Sequence, residues 1–403
     1  MIKNREIKGY GGFNMSYLLK VQGNDSQYIY SKRESPYFSK FIENNSDLIF
    51  FQGEFHSTIK ELQGIDWISD PTSLSEIDAP FTIVKLNKKD DEVYFASSIF
   101  GVIQMYYYHE NGCFIISDDF WEIVNQISID FDSLDIESIR EYLAVGQPLF
   151  DGTYIKGLKI VNSGMTGFYE KKNDKLSIKR YYNFLIVEKE WTLEQATEKL
   201  DDAINKGMQR IRAEMGNVRY TMGLSGGLDS RLIPHYAINN GMNVDSYILG
   251  DPKPRKVFLS RDHRNSRKLA KIFGLKHKEC NWNLDVFKDA LFNDIKNAPL
   301  LNQQFFKGRI DIDFDVLLTG GSGYWVGSCL PVNLQELDEE TLVKEMNKLF
   351  RGINPSNEDL RLINAALRVL FGKEIRNRKE IPWISNIFVL KNKFPVTKDM
   401  SGF

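Results

Sequence analysis

One stretch of the sequence decides the fold: VRYTMGL at residues 218–224, followed directly by SGGLDS at residues 225–230. The first part is typical of a buried strand, the two glycines are typical of a tight turn, and residues 230–240 are typical of a helix. Glycines let backbone N–H groups approach a ligand closely, and the positive end of the following helix favours an anion. The stretch therefore predicts an anion site between a strand and a helix.

The side chains of this turn indicate which anion it takes. Ser225 and Ser230 carry hydroxyls that can donate to phosphate oxygens. The carboxylate of Asp229 repels phosphate unless a cation bridges the two, and Mg²⁺ is the simplest bridge. The string is neither a Walker A loop nor the Gly-x-Gly-x-x-Gly dinucleotide pattern. We therefore predict a site for a nucleotide phosphate chain with its metal, against the alternative of an ordinary glycine turn.

Composition sets the class of protein. The chain has 403 residues, of which 42% are hydrophobic and 26% charged, and its formal net charge is −2. Such a chain is expected to be globular with two or three domains, and its charge gives no reason to expect a nucleic-acid partner. Cys113, Cys280 and Cys329 have neither metal-site nor disulfide-framework spacing. Because no apolar run approaches the ~18 residues of a membrane span, we expect a cytoplasmic protein without membrane contact.

Residues 1–185 follow a β pattern, with short aromatic and β-branched runs between turn signals. Asn111-Gly112 separates two of these runs and predicts a tight hairpin, and a helix is predicted from Asp135 onward. The spacing favours a first domain of stacked antiparallel sheets. The runs lie at residues 28–30, 48–51, 81–84, 93–96, 105–108 and 113–116.

Residues 186–403 alternate between strand and helix patterns, which predicts a parallel, doubly wound sheet. Thr192 is expected to cap a first helix. Ligands of such sheets bind beyond the carboxyl ends of the strands, where the 225–230 turn falls. Further strands are predicted at 244–249 and 316–318, and further helices at about 264–273 and 338–373.

The string at residues 225–230 resembles the signature of the PP-loop ATP pyrophosphatases, in the form found in the asparagine synthetase branch. Residues 79–108 look like the later half of that family's glutaminase domain, and residues 151–157 and 162–164 look like the segment that bridges its two domains. The resemblance implies an α+β, Ntn-hydrolase-like domain of stacked antiparallel sheets at residues 1–185. It implies an α/β, doubly wound PP-loop domain at residues 186–403, with ATP and Mg²⁺ as cofactors.

The resemblance also implies site residues, with Asp229 as the metal ligand. Arg231 can address phosphate or a substrate carboxylate, or form a surface ion pair. The basic residues between 251 and 264, Lys256 among them, can close over a triphosphate or remain a solvated loop. The expected catalytic residues are Asp229, Arg231 and Lys256, and the expected nucleotide-binding residues are Leu224, Ser225, Gly226, Gly227, Asp229, Ser230, Ile248, Leu249, Gly250, Thr319 and Gly320.

The first domain departs from the family pattern. The family's glutaminase uses an N-terminal cysteine, whereas this chain begins Met1-Ile2-Lys3-Asn4, and Ser97-Ser98 stand where an Arg-Asp pair is expected. We therefore expect a degenerate glutaminase-like domain that does not hydrolyse glutamine. Cys113 as a substitute nucleophile is the alternative, and a core thiol is the simpler interpretation.

The second nucleotide motif departs as well. Thr319-Gly320 match the family, but Tyr324-Trp325 replace its acidic pair, one member of which helps to hold Mg²⁺. Either another carboxylate takes that place or catalysis is weakened. Asp311, Asp313 and Asp315 lie just upstream, and we favour solvated strand-edge residues over metal ligands for all three.

The resulting hypothesis is an AMP-forming amide-bond ligase that adenylates a small-molecule or peptide carboxylate and passes it to an amine or to ammonia. Two alternatives stay open. One is a non-catalytic member that binds a nucleotide or a partner. The other is one half of a split enzyme, because only about 80 residues follow the second motif and a partner protein would then complete the C-terminal region.

Overall fold

The computed structural model describes residues 16–22, 25–31, 38–99, 101, 103–136, 138–139, 151–182, 191–227, 229–249, 257–280 and 315–318. The described residues up to 182 and those from 191 onward belong to two different compact units. The predicted domain boundary at residues 185 and 186 lies outside the described residues, and so do the predicted helix at 338–373 and Cys329.

The first unit contains two antiparallel sheets. One has five strands in the order β2-β1-β8-β7-β9, and the other has six in the order β11-β10-β6-β5-β4-β3. The strands are β1 (Ser16–Gln22), β2 (Asp25–Ser31), β3 (Phe38–Glu43), β4 (Asp47–Gly53), β5 (Phe81–Asn87), β6 (Glu92–Ser97), β7 (Tyr106–Glu110), β8 (Cys113–Ser117), β9 (Leu158–Ile160), β10 (Met165–Glu170) and β11 (Lys175–Arg180). The described residues of this unit also form helices α1 (His56–Gln63) and α2 (Phe120–Val124).

The core of this unit lies between the two sheets. Phe50 and Phe95 of the six-stranded sheet join Tyr107 and Phe114 of the five-stranded sheet in one buried cluster. Inward-facing side chains of this kind are what holds a stacked pair of sheets together, since each sheet must bury one apolar face. The prediction of stacked antiparallel sheets is confirmed for the described residues.

The turn between β7 and β8 has the predicted hairpin geometry. Asn111 has a φ of 52° and Gly112 a φ of 69°, as a two-residue turn of the primed type requires. The predicted helix after β8 begins where expected, because the backbone N–H of Ile139 donates to the carbonyl of Asp135 at 3.0 Å. Residues 140–150, its predicted continuation, lie outside the described residues.

The second unit is built on a parallel sheet in the order β14-β13-β12-β15. Its elements are α3 (Leu193–Met215), β12 (Tyr220–Gly223), α4 (Asp229–Asn239), β13 (Val244–Leu249), α5 (Val257–Phe273), β14 (His277–Cys280) and β15 (Val316–Leu318). Thr192 caps α3 as predicted, in a reciprocal capping box with Gln195. No helix in the described part of the chain is long and apolar enough to cross a membrane.

One apolar cluster joins the sheet to the three helices. Met222 at the centre of β12 is buried with Met208 of α3, Ala237 of α4 and Ala270 of α5. Leu224, just after β12, is 1% exposed in the same cluster. A strand buried in this way anchors whatever follows its carboxyl end, and here that is the 225–230 turn.

The start of α5 was predicted wrongly. The sequence placed its first residue near 264, whereas the helix begins at Val257. The basic residues in this region suggested a loop, but Arg and Lys have good intrinsic helix propensity and the apolar Val-Phe-Leu at 257–259 adds a further turn.

Candidate functional site

The 225–230 turn lies at the carboxyl end of β12, where the order of the strands reverses. From β12 the chain proceeds to β13 and then β14 on one side, while β15 pairs with β12 on the other side. Parallel α/β sheets bind ligands in the crevice at such a switch point. The position of the turn therefore agrees with a ligand site.

Two serine hydroxyls hold the turn together, and Ser225 Oγ accepts from the backbone N–H of Gly227 at 3.2 Å. Ser230 Oγ accepts from the backbone N–H of Ser225 at 3.2 Å and lies 3.1 Å from the carbonyl oxygens of Ser225 and Gly227. Before the turn, the N–H of Leu224 donates to the carbonyl of Tyr247 at 2.8 Å, which extends the β12–β13 pairing by one residue. The turn is thus fixed at the strand and at the first turn of α4.

Gly226 permits a close approach that no other residue would. A Cβ built at this position would lie 2.8 Å from Asn265 Nδ2 and 3.1 Å from Asp262 Oδ1. Real Cβ atoms do not come that close to a neighbour without displacing it. Gly227 is less enclosed, since its nearest contact would be Ser225 Oγ at 3.3 Å.

The first turn of α4 adds an electrostatic preference for anions. Its backbone N–H groups have no acceptor within the helix, and the helix dipole points its positive end toward the turn. Asp229 is the first residue of α4, and its side chain lies outside the described part of the structure. Arg231 lies against the turn, because its Nε donates to the carbonyl of Gly227 at 3.2 Å.

Leu224 and Ile248, two of the expected nucleotide-binding residues, are both buried. Leu224 and Ile248 are 1% and 7% exposed, so Leu224 borders the turn through its backbone while its side chain packs in the core. Tyr247 lies beside the carboxyl end of β12, with its hydroxyl 3.6 Å from where a Cβ of Gly223 would stand. Burial raises the pKa of Tyr247 to about 12, with a smaller contribution from Cys280, so its phenol stays a neutral donor.

Several predicted site residues lie outside what the structure describes. Leu249 ends β13, and only its backbone is described. The roles of these residues stay predictions. The residues outside the described ranges are Gly250, Lys256, Thr319, Gly320, Asp311, Asp313, Tyr324 and Trp325.

The predicted basic lid is corrected in its second half. Residues 261–264 were expected to belong to a mobile loop, but they lie within α5, and His263 is 2% exposed. The buried His263 cannot close over a triphosphate, whereas the side chains of Arg261 and Arg264 are exposed on the helix. The structure brings two other residues of this helix, Asp262 and Asn265, to the turn, and sequence reasoning assigned neither to the site. Their three-residue spacing is a signal for one shared helix face, but not for which face meets the turn.

His277 has a structural role. Its Nδ1 lies 2.9 Å from Ser246 Oγ and its Nε2 lies 2.9 Å from Ser266 Oγ, and both serines are buried. Burial lowers the pKa of His277, although the nearby Glu279 opposes the shift. The neutral imidazole therefore links β13, β14 and α5 rather than carrying charge.

Cys113 is a buried thiol with no sign of activation. Cys113 lies opposite Gln22, the last residue of β1, and burial raises the pKa of its thiol. A nucleophilic cysteine needs the opposite shift, because the thiolate is the reactive form. The structure favours the core-thiol interpretation.

Asp315 lies at the amino ends of the parallel strands, whereas the turn lies at their carboxyl ends. It precedes β15, and its carboxylate accepts from the backbone N–H of Arg219 at 2.9 Å and from Arg219 Nη2 at 3.2 Å. Arg219 precedes β12, so this pair stands at the amino ends of the parallel strands. Asp315 is therefore a strand-edge residue, as favoured above, and not a ligand for a metal at the turn.

We expect Asp315→Asn to lower the free energy of unfolding at pH 7 by about 0.5–1 kcal/mol, a small effect because the pair is about half exposed to screening solvent. Hydrogen bonds from Arg219 lower the pKa of Asp315. A lowered carboxyl pKa stabilises the fold above the ordinary value near ~4, and the contribution is lost as the pH falls through the folded-state pKa. Urea unfolding should therefore show a difference between the two proteins at pH 7 that shrinks progressively as the pH falls below ~4. A difference that stays constant over this range would contradict this assignment.

The atoms at the turn fit a magnesium–nucleotide complex. Among the described side chains, no three of His, Cys, Asp or Glu are close enough together to form a metal site by themselves. Nucleotide-bound Mg²⁺ usually takes only one or two protein carboxylates, with phosphate oxygens and water as its other ligands. The hydroxyl and carboxylate oxygens around Gly226 are the hard donors that this ion prefers.

Comparisons with known proteins do not assign a family. No protein-family model and no curated protein matches the chain. Among solved structures, it is similar to glutamine PRPP amidotransferase from B. subtilis, complexed with ADP and GMP, at 8% identity over 68% of this chain and 86% of that chain, with a TM-score of 0.26. It is also similar to the glutamine-dependent NAD+ synthetase from Acinetobacter baumannii, at 15% identity over 36% of this chain and 25% of that chain, with a TM-score of 0.21.

A third similar structure is the NH3-dependent NAD synthetase from Campylobacter jejuni, at 15% identity over 50% of this chain and 95% of that chain, with a TM-score of 0.24. At such TM-scores a likeness establishes neither the fold nor the activity of this chain. The function is therefore inferred from the turn and its surroundings.

Proposed function

We propose that this chain is an ATP-dependent, AMP-forming ligase that joins a carboxylate to an amine. The observation that supports it most is the Ser-Gly-Gly-Leu-Asp-Ser turn at the carboxyl end of β12, between a buried parallel strand and the amino end of α4. The sequence resemblance to asparagine synthetases gives the reaction type. The geometry of the turn agrees with its first requirement, a place for the phosphates of ATP.

The phosphates would be held by groups that the chain already presents at the turn. The backbone N–H groups of the first turn of α4 can face the ligand, while those of Ser225 and Gly227 donate to Ser230 Oγ and Ser225 Oγ within the turn. Ser225 and Ser230 share a contact of 3.0 Å between their hydroxyls and can rotate to donate to phosphate oxygens instead. Arg231 stands next to them with further N–H donors. Bound Mg²⁺, with Asp229 as its predicted ligand, would offset phosphate charge.

The reaction consists of two group transfers. An oxygen of the substrate carboxylate forms a bond to the α-phosphorus of ATP, the bond from that phosphorus to the bridging oxygen breaks, and pyrophosphate leaves. The nitrogen of the amine then forms a bond to the acyl carbon, the bond from this carbon to the phosphate oxygen breaks, and AMP leaves while the amine loses a proton. Positioning and charge neutralisation supply most of the rate in such a reaction.

The amine would be free ammonia or part of a substrate. The described residues of the first unit offer no activated cysteine, since Cys113 is buried with a raised pKa. The carboxylate would belong to a small molecule or a peptide.

A second candidate is nucleotide binding without turnover. Tyr324-Trp325 replace the acidic pair of the second motif, which removes oxygen ligands that Mg²⁺ prefers. In this case the turn would still bind ATP, but no pyrophosphate would be released with any substrate.

A pyrophosphate-release assay against a panel of carboxylic acids and amines separates the two candidates, with Asp229→Ala as the matched variant. The ligase predicts release that requires both ATP and one of the acids, and that Asp229→Ala reduces about 100-fold or more by removing the metal ligand. ATP binding without release for every acid would overturn the ligase and leave the second candidate. No ATP binding at all would overturn both.

A further inference from the structure

Helix α5 presents two polar side chains to the turn. Asp262 and Asn265 are three residues apart and so share one face of the helix. Asp262 Oδ1 and Asn265 Nδ2 lie 3.1 and 2.8 Å from the place where a Cβ of Gly226 would stand. Both side chains are half-buried. The absence of a side chain at residue 226 is what allows them to rest against the backbone of the turn.

Neither side chain has a partner among the described residues. The structure records no hydrogen bond or ion pair from Asp262 or Asn265 to another described residue, whereas the neighbouring Ser266 contacts His277 and the neighbouring Arg267 pairs with Glu279. A carboxylate that is partly removed from water normally has a compensating donor or cation. The Asp262 carboxylate faces a turn that is otherwise suited to an anion.

A turn that favours anions and a carboxylate beside it are compatible only if a cation lies between the carboxylate and the bound anion. The amino end of α4 and the glycine backbone favour negative charge, and a carboxylate beside the same turn would repel a phosphate. A divalent cation between the two removes the repulsion, and Mg²⁺ readily takes a carboxylate together with phosphate oxygens. The Asn265 amide, which carries two N–H donors, suits a phosphate oxygen directly.

We propose that Asp262 is a ligand of the Mg²⁺ that accompanies a nucleotide at the 225–230 turn, and that Asn265 donates to one of the phosphates. This proposal rests on the nucleotide site of the proposed function. It gives the chain a second carboxylate besides Asp229, from a different element than the family's second motif, where Tyr324-Trp325 stand. The acid missing from that motif is thereby compensated by α5.

The test is ATP binding by the full chain, measured by isothermal titration calorimetry in excess Mg²⁺ and again in EDTA. The wild-type protein should bind ATP more tightly with Mg²⁺. Asp262→Asn removes one charge at nearly constant shape and should weaken binding in Mg²⁺ about 10-fold or more, while binding in EDTA stays equal or becomes tighter because the repulsion is gone. A misfolded site would lose affinity in both buffers, so the two buffers distinguish a metal ligand from a structural residue.

Three further proteins make the test decisive. Asp202→Asn, at an exposed position of α3 where Asp202 pairs with Lys206, makes the same charge change and should behave like wild type. Asp262→Glu keeps the carboxylate and should retain most of the Mg²⁺ effect. Asn265→Ala should weaken ATP binding in both buffers by a similar factor, because Asn265 donates to a phosphate and does not bind the metal.

The contradicting results are equally specific. An unchanged Mg²⁺ effect in Asp262→Asn would overturn the proposal and leave the nucleotide site intact. Equal losses in both buffers for Asp262→Asn and Asp262→Glu would assign Asp262 a structural role and also overturn it. If wild type binds no ATP in either buffer, the nucleotide site itself is wrong, and this proposal with it.

Discussion

Replacing Gly226 by alanine is expected to weaken ATP binding about 30-fold, which corresponds to about 2 kcal/mol, the worth of one or two charge-assisted hydrogen bonds. The added Cβ would occupy the space that now admits the ends of Asn265 and Asp262. Two of the three closest atoms, Asn265 Nδ2 and Asp262 Oδ1, are ends of flexible side chains that can turn away, and the third, Asn265 Cβ at 3.2 Å, needs only a small shift of the helix. The cost therefore falls on the site rather than on the fold.

The matched control is Gly207→Ala on α3, where a Cβ would have no neighbour within 4 Å. This variant should bind ATP like the wild-type protein. Calorimetry gives the affinities, and thermal unfolding followed by circular dichroism shows whether Gly226→Ala keeps its fold. A folded Gly226→Ala protein with wild-type affinity would contradict the placement of the nucleotide at this turn.

Gly167→Ala is expected to destabilise the first unit by about 3 kcal/mol, at the upper end of the usual cost of overpacking a core. Gly167 of β10 stands directly opposite Phe95 of β6, and a Cβ at residue 167 would overlap the ring of Phe95. That ring is fully buried and lies between Tyr107 and Phe114, with ring-centre distances of 6.2 and 6.0 Å, so it has no free space to move into. A glycine covered by a cross-strand aromatic ring is a known way of fixing strand register.

A glycine-to-alanine substitution within a helix should have the opposite effect on stability. Gly207→Ala should stabilise the second unit by about 0.5–1 kcal/mol, because alanine loses less backbone entropy in a helix than glycine does. Denaturant unfolding of both variants measures the two effects. A Gly167→Ala protein as stable as wild type would show that β10 and β6 are not paired in the register described.

Much of the fold was predictable, because its strands carry their own signals. Strand β5 combines apolar residues with turns at both ends, and the Asn111-Gly112 turn requires positive φ angles that this dipeptide readily adopts. Strand β14 was not predicted. Its residues, His-Lys-Glu-Cys at 277–280, are mostly polar, and it forms because β13 offers a free edge and His277 bonds to Ser246. Such a strand exists only in its tertiary context.

The residues of the candidate site that are contiguous in sequence could be predicted, but those that a distant helix brings to it could not. The residues of the turn are contiguous, so the glycines and hydroxyls at 225–230 could be found from their order alone. Asp262 and Asn265 lie more than thirty positions away, and their role depends on how α5 packs beside β12. Local pattern gives the periodicity of a helix, while its facing neighbours follow from packing that a single sequence does not display.

The central claim is that a nucleotide binds at the turn after β12. Hydrogen–deuterium exchange of the full chain, with and without ATP and Mg²⁺, tests it most directly, because protection by a ligand is read out residue by residue. We predict slower exchange in peptides covering residues 224–231 and 261–265 when ATP is present, and no change in the strands of the first unit. Unchanged exchange at 224–231 under conditions where ATP binding is measurable would contradict it.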